Sequence, residues 1–261
     1  MTGETITGTG DRPLALITGG WRRIGAAIAM RLAQAGYDLA LHAHHADSFD
    51  PVFGGELVAL GAAVYPLAAD LADFAAVEAL IPAAIAAAGR VPVLLVNCAS
   101  LFRDDSVQTF DAQSLDLHFR VNCHTPLLLT SALAAALAGR EGAVVQIIDQ
   151  RVRNPVPDQI SYTLSKQALH ASVRTMARAL APHLRVNAVA PGLTLPTDDY
   201  TPAQWDRLAA LMPLQRLSSP DDIADAVLHL ATARTTTGET LFVDGGAHLE
   251  SFARDFIHLS Q

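Results

Sequence analysis

Leu14-Ala15-Leu16-Ile17-Thr18-Gly19-Gly20-Trp21-Arg22-Arg23-Ile24-Gly25 joins a short apolar run to a glycine-bearing turn. Four apolar residues without polar alternation read as a strand covered on both faces. They run directly into a glycine-bearing turn and then an amphipathic segment, residues 24–35, with Gly36 after it where a left-handed C-cap belongs. Such a turn lets the backbone approach a pyrophosphate, which the helix N-terminus then holds. The plainer reading is a tight strand–helix turn with no ligand.

The same alternation continues outward from this unit. Apolar runs at 38–43, 63–67, 93–96, 143–148, 186–190 and 241–243 alternate with amphipathic segments at 74–87, 114–138, 161–181 and 221–231. Gly89 closes the 74–87 segment as Gly36 closes the first. Seven strand–helix alternations with right-handed crossovers predict an α/β fold: one open, seven-stranded parallel sheet, doubly wound, with helices on both faces. No repeat, linker or composition break divides the chain. The expected organisation is a leader at 1–12 and a single Rossmann-type domain at 13–261. Residues 195–220, with Pro196, Pro202, Pro213 and Pro220, are the one irregular stretch and read as a substrate loop or lid.

Of 261 residues, 51% are apolar and 17% charged, with 18 Lys+Arg against 26 Asp+Glu. That balance supports a full core and opposes disorder. A net charge of −8 without a basic run gives no purchase on nucleic acid or an anionic membrane. No apolar run approaches the roughly 18 residues of a spanning helix. The leader lacks the basic start and apolar segment of a signal peptide, so the expected location is the cytoplasm. Two cysteines, Cys98 and Cys123, are too few for a disulfide framework or a zinc cage.

Tyr162 and Lys166 lie one helical turn apart and share a face. A phenol near pKa 10 is a weak acid–base catalyst at neutral pH, and a neighbouring ammonium is expected to lower it. An ordinary exposed pair is the competing reading of these two alone.

Seven motifs in order resemble those of short-chain dehydrogenases/reductases, over nearly the whole chain. Thr18-Gly19 through Arg23, Ile24 and Gly25 resembles the TGxxxGxG turn, with Arg23 in place of the middle glycine. Asp70-Leu71 matches an adenine-contacting pair, Asn97-Cys98-Ala99-Ser100 an NNAG segment, and Asn122 the helix-borne catalytic Asn. Tyr162-x-x-x-Lys166 matches the active-site pair, Pro191-Gly192 with Thr194 the nicotinamide-contacting turn, and Asp244-Gly245-Gly246 the closing element. The resemblance implies that Lys166 also holds the nicotinamide ribose, and that Asn122 anchors a water in a proton relay. NAD-binding members carry an acid at the end of the second strand. Here that strand ends Leu41-His42-Ala43-His44-His45, and Arg22 resembles the basic residue of NADP-preferring members; NADPH is the expected cofactor. The histidine cluster lacks a carboxylate or Cys at ligand spacing, so it reads as a polar strand end near the adenosine phosphate, with no metal expected.

One departure narrows the reading. Asp149 stands thirteen residues before Tyr162, where most members carry Ser. An ionised carboxylate cannot donate to a carbonyl oxygen, but it accepts from a ring N–H or amino group. With Arg23 and Ser100-Leu101-Phe102, this resembles the pteridine reductases and the bacterial dihydromonapterin/dihydrofolate reductases. That resemblance implies that Phe102 stacks on a pterin, that Arg23 and Ser100 contact the ring and cofactor phosphate, and that Asp149 and Tyr162 face the reacting edge. Phe102 as a core residue and Asp149 as a local cap are the alternatives. The expected reaction is NADPH-dependent reduction of a 7,8-dihydropterin such as dihydromonapterin, dihydrobiopterin or dihydrofolate: hydride to C6 and a proton to N5. A reductase of another carbonyl or imine, or a non-catalytic dinucleotide sensor, are the competing functions. A small-molecule pterin is thus the expected partner. Surplus apolar residues on 114–138 and 161–181, including Leu127, Leu128, Leu133, Leu169, Val173 and Met176, together with the resemblance, imply a homotetramer.

Overall fold

In a computed structural model of the chain, residues 12–196 and 200–259 are described. All of the expected leader except Arg12 lies outside the described residues. The guanidinium of Arg12 donates to the carbonyls of Ala33 and Leu60 and closes over the bottom of the sheet.

Seven strands make one all-parallel sheet: β1 (Leu14–Thr18), β2 (Asp38–Ala43), β3 (Val64–Ala68), β4 (Leu94–Asn97), β5 (Gly142–Ile147), β6 (Leu184–Pro191) and β7 (Thr240–Val243). Their spatial order is β3-β2-β1-β4-β5-β6-β7. The chain therefore winds one way from β1 to β3 and the other way from β4 to β7, and the crevice between β1 and β4 is the switch point where ligands of such sheets bind.

The absence of polar alternation follows from burial on both faces. Ala15 and Ile17, with Leu39, Leu41 and Val145, pack under α1 (Arg23–Gln34), α2 (Pro51–Ala59) and α8 (Pro220–Thr232). Their neighbours Leu14 and Leu16, with Ala40, Leu95 and Val144, pack under α3 (Phe74–Ala88), α5 (Thr125–Leu137) and α6 (Ile160–Leu180). Each large apolar side chain buried in this way contributes about 1.5–3 kcal/mol.

Two expectations need correction. The continuous helix expected over 114–138 is α4 (Ala112–Phe119), a π-helical turn (Arg120–His124) and then α5. Pro126 is the physical reason: it has no N–H for the carbonyl four residues back, that of Asn122, and its ring crowds that carbonyl. The stretch 195–220 is also not irregular throughout. Pro202–Leu211 forms α7, begun by Pro202 in its first turn and by a capping box between Thr201 and Gln204. Proline suits a helix's first turn, where its missing N–H has no intrahelical partner to lose. Residues 197–199 lie outside the described residues. No helix among the described residues is long and apolar enough to cross a membrane.

Candidate active site

The glycine turn lies at the carboxyl end of β1, over the switch point. A Cβ on Gly25 would stand 2.0 Å from the Gly19 carbonyl oxygen, and one on Gly19, which has φ +66°, would crowd the Ala99 backbone at 3.1 Å. These positions hold the turn closed. The N-caps of α2, α3, α4, α7 and α8 each use an Asp, Thr or Ser side chain to bond the first-turn amides. The α1 N-terminus has no such side-chain bond and no acid in its first turn. Its free amides and positive dipole end thus face the switch point, as a pyrophosphate requires. Arg22 and Arg23 flank it and are both exposed. Arg23 keeps the left-handed φ of +54° that a glycine would have taken there.

The three histidines separate. His42 is buried; its Nδ1 accepts from the Gly19 amide at 3.2 Å and its Nε2 donates to the Ala69 carbonyl at 2.9 Å. Burial lowers its pKa, as a neutral acceptor requires. It belongs to the support of the turn, a role the strand-end reading missed. His44 and His45 remain exposed at the end of β2, rings 3.9 Å apart, with Asp70 brought to 3.6 Å from His44. Among the described residues no three His, Cys, Asp or Glu are grouped to hold a metal.

Other cofactor candidates line the same edge but differ in what they offer. Thr18 Oγ1 accepts from the Cys98 and Ala99 amides, both at 3.0 Å, and so ties the two lips of the crevice. The buried Asn97 side chain donates to Gln146 at 2.9 Å, inside the sheet. Leu71 is buried, with its carbonyl accepting from Thr125. The side chains of Asn97 and Leu71 are thus turned inward. Pro191 ends β6; a Cβ on Gly192 would lie 2.7 Å from Asp244, so the turn packs directly on the closing Asp244-Gly245-Gly246 element. Thr194 bonds Ser218 at 3.0 Å, joining the two ends of the 195–220 stretch.

On the far side of the crevice α6 presents Tyr162 and Lys166. The Tyr162 hydroxyl donates to Asp149 Oδ2 at 2.8 Å, and the Lys166 Nζ donates to the Ile147 carbonyl at 2.8 Å. Asp149 Oδ1 also accepts from the Arg151 amide at 2.9 Å, so it is both a local cap and the partner of Tyr162. Phe102 is 54% exposed and meets the Tyr162 ring edge-on at 4.8 Å, which removes the core reading and leaves a platform beside the phenol. Asn122 is fully buried. Its amide bonds both polar groups of Leu101, the Ser100 hydroxyl and Ser165 of α6. Its side chain fastens residues 100 and 101 to α6.

Electrostatics correct one expectation. Burial first, and then the Asp149 carboxylate, hold Tyr162 well above the ordinary phenol range; Arg151 offsets this only in part. Burial draws Lys166 down to about 8, against the pull of Asp149. The lowering expected from Lys166 is outweighed, because Asp149 takes the Tyr162 hydroxyl at 2.8 Å. The Tyr162 hydroxyl is thus held as a donor to Asp149. Arg151, Gln159 and Asp255, which join this cluster, were not singled out in the sequence; Arg151 lies only two residues past Asp149, but Asp255 lies 104 residues beyond Arg151.

A family profile described as enoyl-(acyl carrier protein) reductase matches residues 20–248. A crystal structure of FolM alternative dihydrofolate reductase 1 from Brucella canis, complexed with NADP, superposes with a TM-score of 0.84 at 39% identity, covering 91% of this chain and 95% of that one. A short-chain dehydrogenase/reductase mutant from Serratia marcescens superposes at 0.81 with 30% identity, covering 90% of this chain and 97% of the other. The (3R)-3-hydroxyacyl-CoA dehydrogenase of Canis lupus familiaris is 33% identical over 90% of this chain and 96% of its own. An uncapped nucleotide turn at the switch point, a Tyr–Lys pair on the facing helix and likeness along nine-tenths of the chain have one common source: the chain belongs to the short-chain dehydrogenase/reductase family of oxidoreductases.

Proposed function

We propose that this protein is an NADPH-dependent pteridine reductase acting on a 7,8-dihydropterin such as dihydromonapterin, dihydrobiopterin or dihydrofolate. The observation that carries the reading is the 2.8 Å bond from Tyr162 to Asp149, beside the half-exposed ring of Phe102. A carboxylate at this position accepts from an amino group or ring N–H, and together with the phenol it holds a proton ready for a ring nitrogen. A flat heteroaromatic ring gains from stacking on Phe102. The Brucella relative, an alternative dihydrofolate reductase with NADP bound, supports the same substrate class.

The residues present fit the cofactor. The open α1 amides and the Gly19–Gly25 turn would take the pyrophosphate, Arg22 with His44 and His45 the 2′-phosphate, and Lys166 with the 191–194 turn the nicotinamide end. When bound, NADPH supplies the hydride. Arg22→Ala is expected to weaken NADPH roughly 10- to 150-fold, the loss of one charge-assisted pair, with NADH hardly affected. Titration of nicotinamide fluorescence with both cofactors checks it; equal losses would show that Arg22 merely supports the turn.

A second reading, reduction of a ketoacyl substrate, is favoured by the hydroxyacyl-CoA dehydrogenase and by a 32% identical 3-oxoacyl-[acyl-carrier-protein] reductase of Staphylococcus aureus. Against it, an ionised Asp149 would repel the charge that develops on a carbonyl oxygen. Incubation with NADPH and either dihydromonapterin or a 3-ketoacyl thioester, followed at the nicotinamide absorbance band, separates the two. Turnover of the thioester alone would overturn the pterin reading.

Of the residues read as surplus on these helices, Leu133, Leu169 and Val173 are buried in the chain's own core, which corrects that reading, whereas Leu128 stays exposed and Leu164 joins it; on these two we also propose a homotetramer built on the α5 and α6 faces. Light scattering at micromolar concentration should report four subunits; a monomer would remove the idea.

A further inference from the structure

Behind Asp149 lies a buried ionic cluster that neither the cofactor nor the substrate requires. Arg151 is almost fully buried. Its Nε stands 3.4 Å from Asp149 Oδ1, one terminal nitrogen donates to Asp255 at 2.5 Å, and the other donates to Gln159 at 3.0 Å. Its guanidinium carbon lies 5.4 Å from the centre of the Tyr162 ring. Asp255 belongs to the carboxy-terminal segment, which Asp158 binds twice, through Arg254 at 2.9 Å and the Asp255 amide at 2.8 Å. Gln159 holds a left-handed φ of +48° just before α6, a conformation unusual for a residue with a side chain, and its amide spans Arg151 and Asp104. The turn is thus held where Gln159 can bond Arg151.

We propose that Arg151 is a positioning residue whose charge, shared between Asp149 and Asp255, sets how readily the Asp149–Tyr162 pair gives up its proton. The carboxy-terminal segment is thereby a working part of the site. This rests on the reductase reading above for what the proton is used for, but not for the electrostatics.

The charged groups facing Arg151 are Asp149 on its own loop, Tyr162 on α6 and Asp255 on the carboxy-terminal segment; Lys166, also on α6, faces Asp149. Asp104 reaches it only through Gln159, while the Asp158–Arg254 pair and His258 lie outside. Arg151 favours loss of the Tyr162 proton, and Asp149 and Asp255 oppose it. An Arg fork is what this arrangement needs, since one planar group serves two carboxylates and an amide at once.

The two sides of the ion pair should therefore act in opposite senses. Asp255→Asn leaves Arg151 less neutralised, so the alkaline limb of the kcat/KM profile with dihydropterin, where the pair has lost its proton, should move to lower pH by about one unit. Arg151→Met should move it to higher pH by a similar amount, and Arg151→Lys should restore part of the difference. Because Arg151→Met strands two carboxylates and can fail to fold, Arg151→Met/Asp255→Asn serves beside it, with its limb above that of Asp255→Asn. The second readout needs no substrate: the Cζ resonance of ¹³C-tyrosine, assigned by its loss in Tyr162→Phe, should titrate earlier in Asp255→Asn than in wild type. NADPH affinity should stay within about twofold of wild type in Asp255→Asn, a change far below the tenfold that one lost interaction of 1.4 kcal/mol would give. An unmoved limb and resonance in folded Asp255→Asn, or shifts of the same sign on both sides of the pair, would overturn the proposal. If wild type does not reduce dihydropterins, the pterin reading falls while the tyrosine titration still decides the role of Arg151.

Discussion

Asp149→Ser should lower kcat/KM for a dihydropterin by about 10²- to 10⁴-fold, the usual share of acid–base help, with NADPH affinity nearly unchanged. Serine is the commoner residue at this position in the family as read from the motif, so the change is a test of chemistry more than of shape. It removes the acceptor that holds the Tyr162 hydroxyl at 2.8 Å and leaves Arg151 paired with Asp255 alone. Asp149→Asn is the sharper companion: the amide can still accept from Tyr162, but it cannot take up a proton. Tyr162→Phe should also be damaging. Its loss combined with Asp149→Asn should be less than additive, because the two side chains share one hydrogen bond and one proton. The measurement is kcat/KM for the two single mutants and the double, beside NADPH binding by fluorescence. Wild-type rates with Asp149→Ser would mean that the carboxylate has no part in pterin reduction.

Gly25→Ala is expected to weaken NADPH by about 100-fold or more, some 2.7 kcal/mol, and to lower thermal stability as well. The added methyl would stand 2.0 Å from the Gly19 carbonyl oxygen, 2.8 Å from its carbon and 3.1 Å from Gly20 Cα. All three are backbone, so relief requires the turn to open, and the turn is what brings the α1 amides to the pyrophosphate. Gly36→Ala provides the control. Gly36 sits at φ +91° with open space around it, so alanine there strains the helix end without touching the crevice. It should lose stability by about 1 kcal/mol and keep its NADPH affinity. Melting temperature and nicotinamide fluorescence on the same samples separate the two effects; a Gly25→Ala protein with wild-type affinity would show that the turn is not the phosphate site.

Much of the site was legible because its parts are local. Thr18 to Gly25 is one continuous turn, Tyr162 and Lys166 are one helical turn apart, and Asp149 stands at the end of an apolar run, so type and spacing alone brought them forward. The roles within the site were less legible. Lys166 was expected to press on the phenol, yet its ammonium is held by the Ile147 carbonyl while Asp149 takes the hydroxyl. His42, His44 and His45 look alike in sequence, and only the packing of β1 and β3 on either side of β2 buries the first and leaves the other two outside.

The seven strands, the burial of the central ones on both faces and the position of the nucleotide turn were readable from residue order, because each is written in the period and composition of adjacent residues. Only the tertiary structure decided the π-helical turn at Asn122, the inward aim of Asn97 and the union of Arg151 with Asp255. The physical reason is distance along the chain. Periodicity records which face a residue presents, whereas the partner of a buried charge is chosen by crossovers that bring together residues 104 positions apart. A lone Asp near the end of a sequence carries no mark of the arginine it will neutralise.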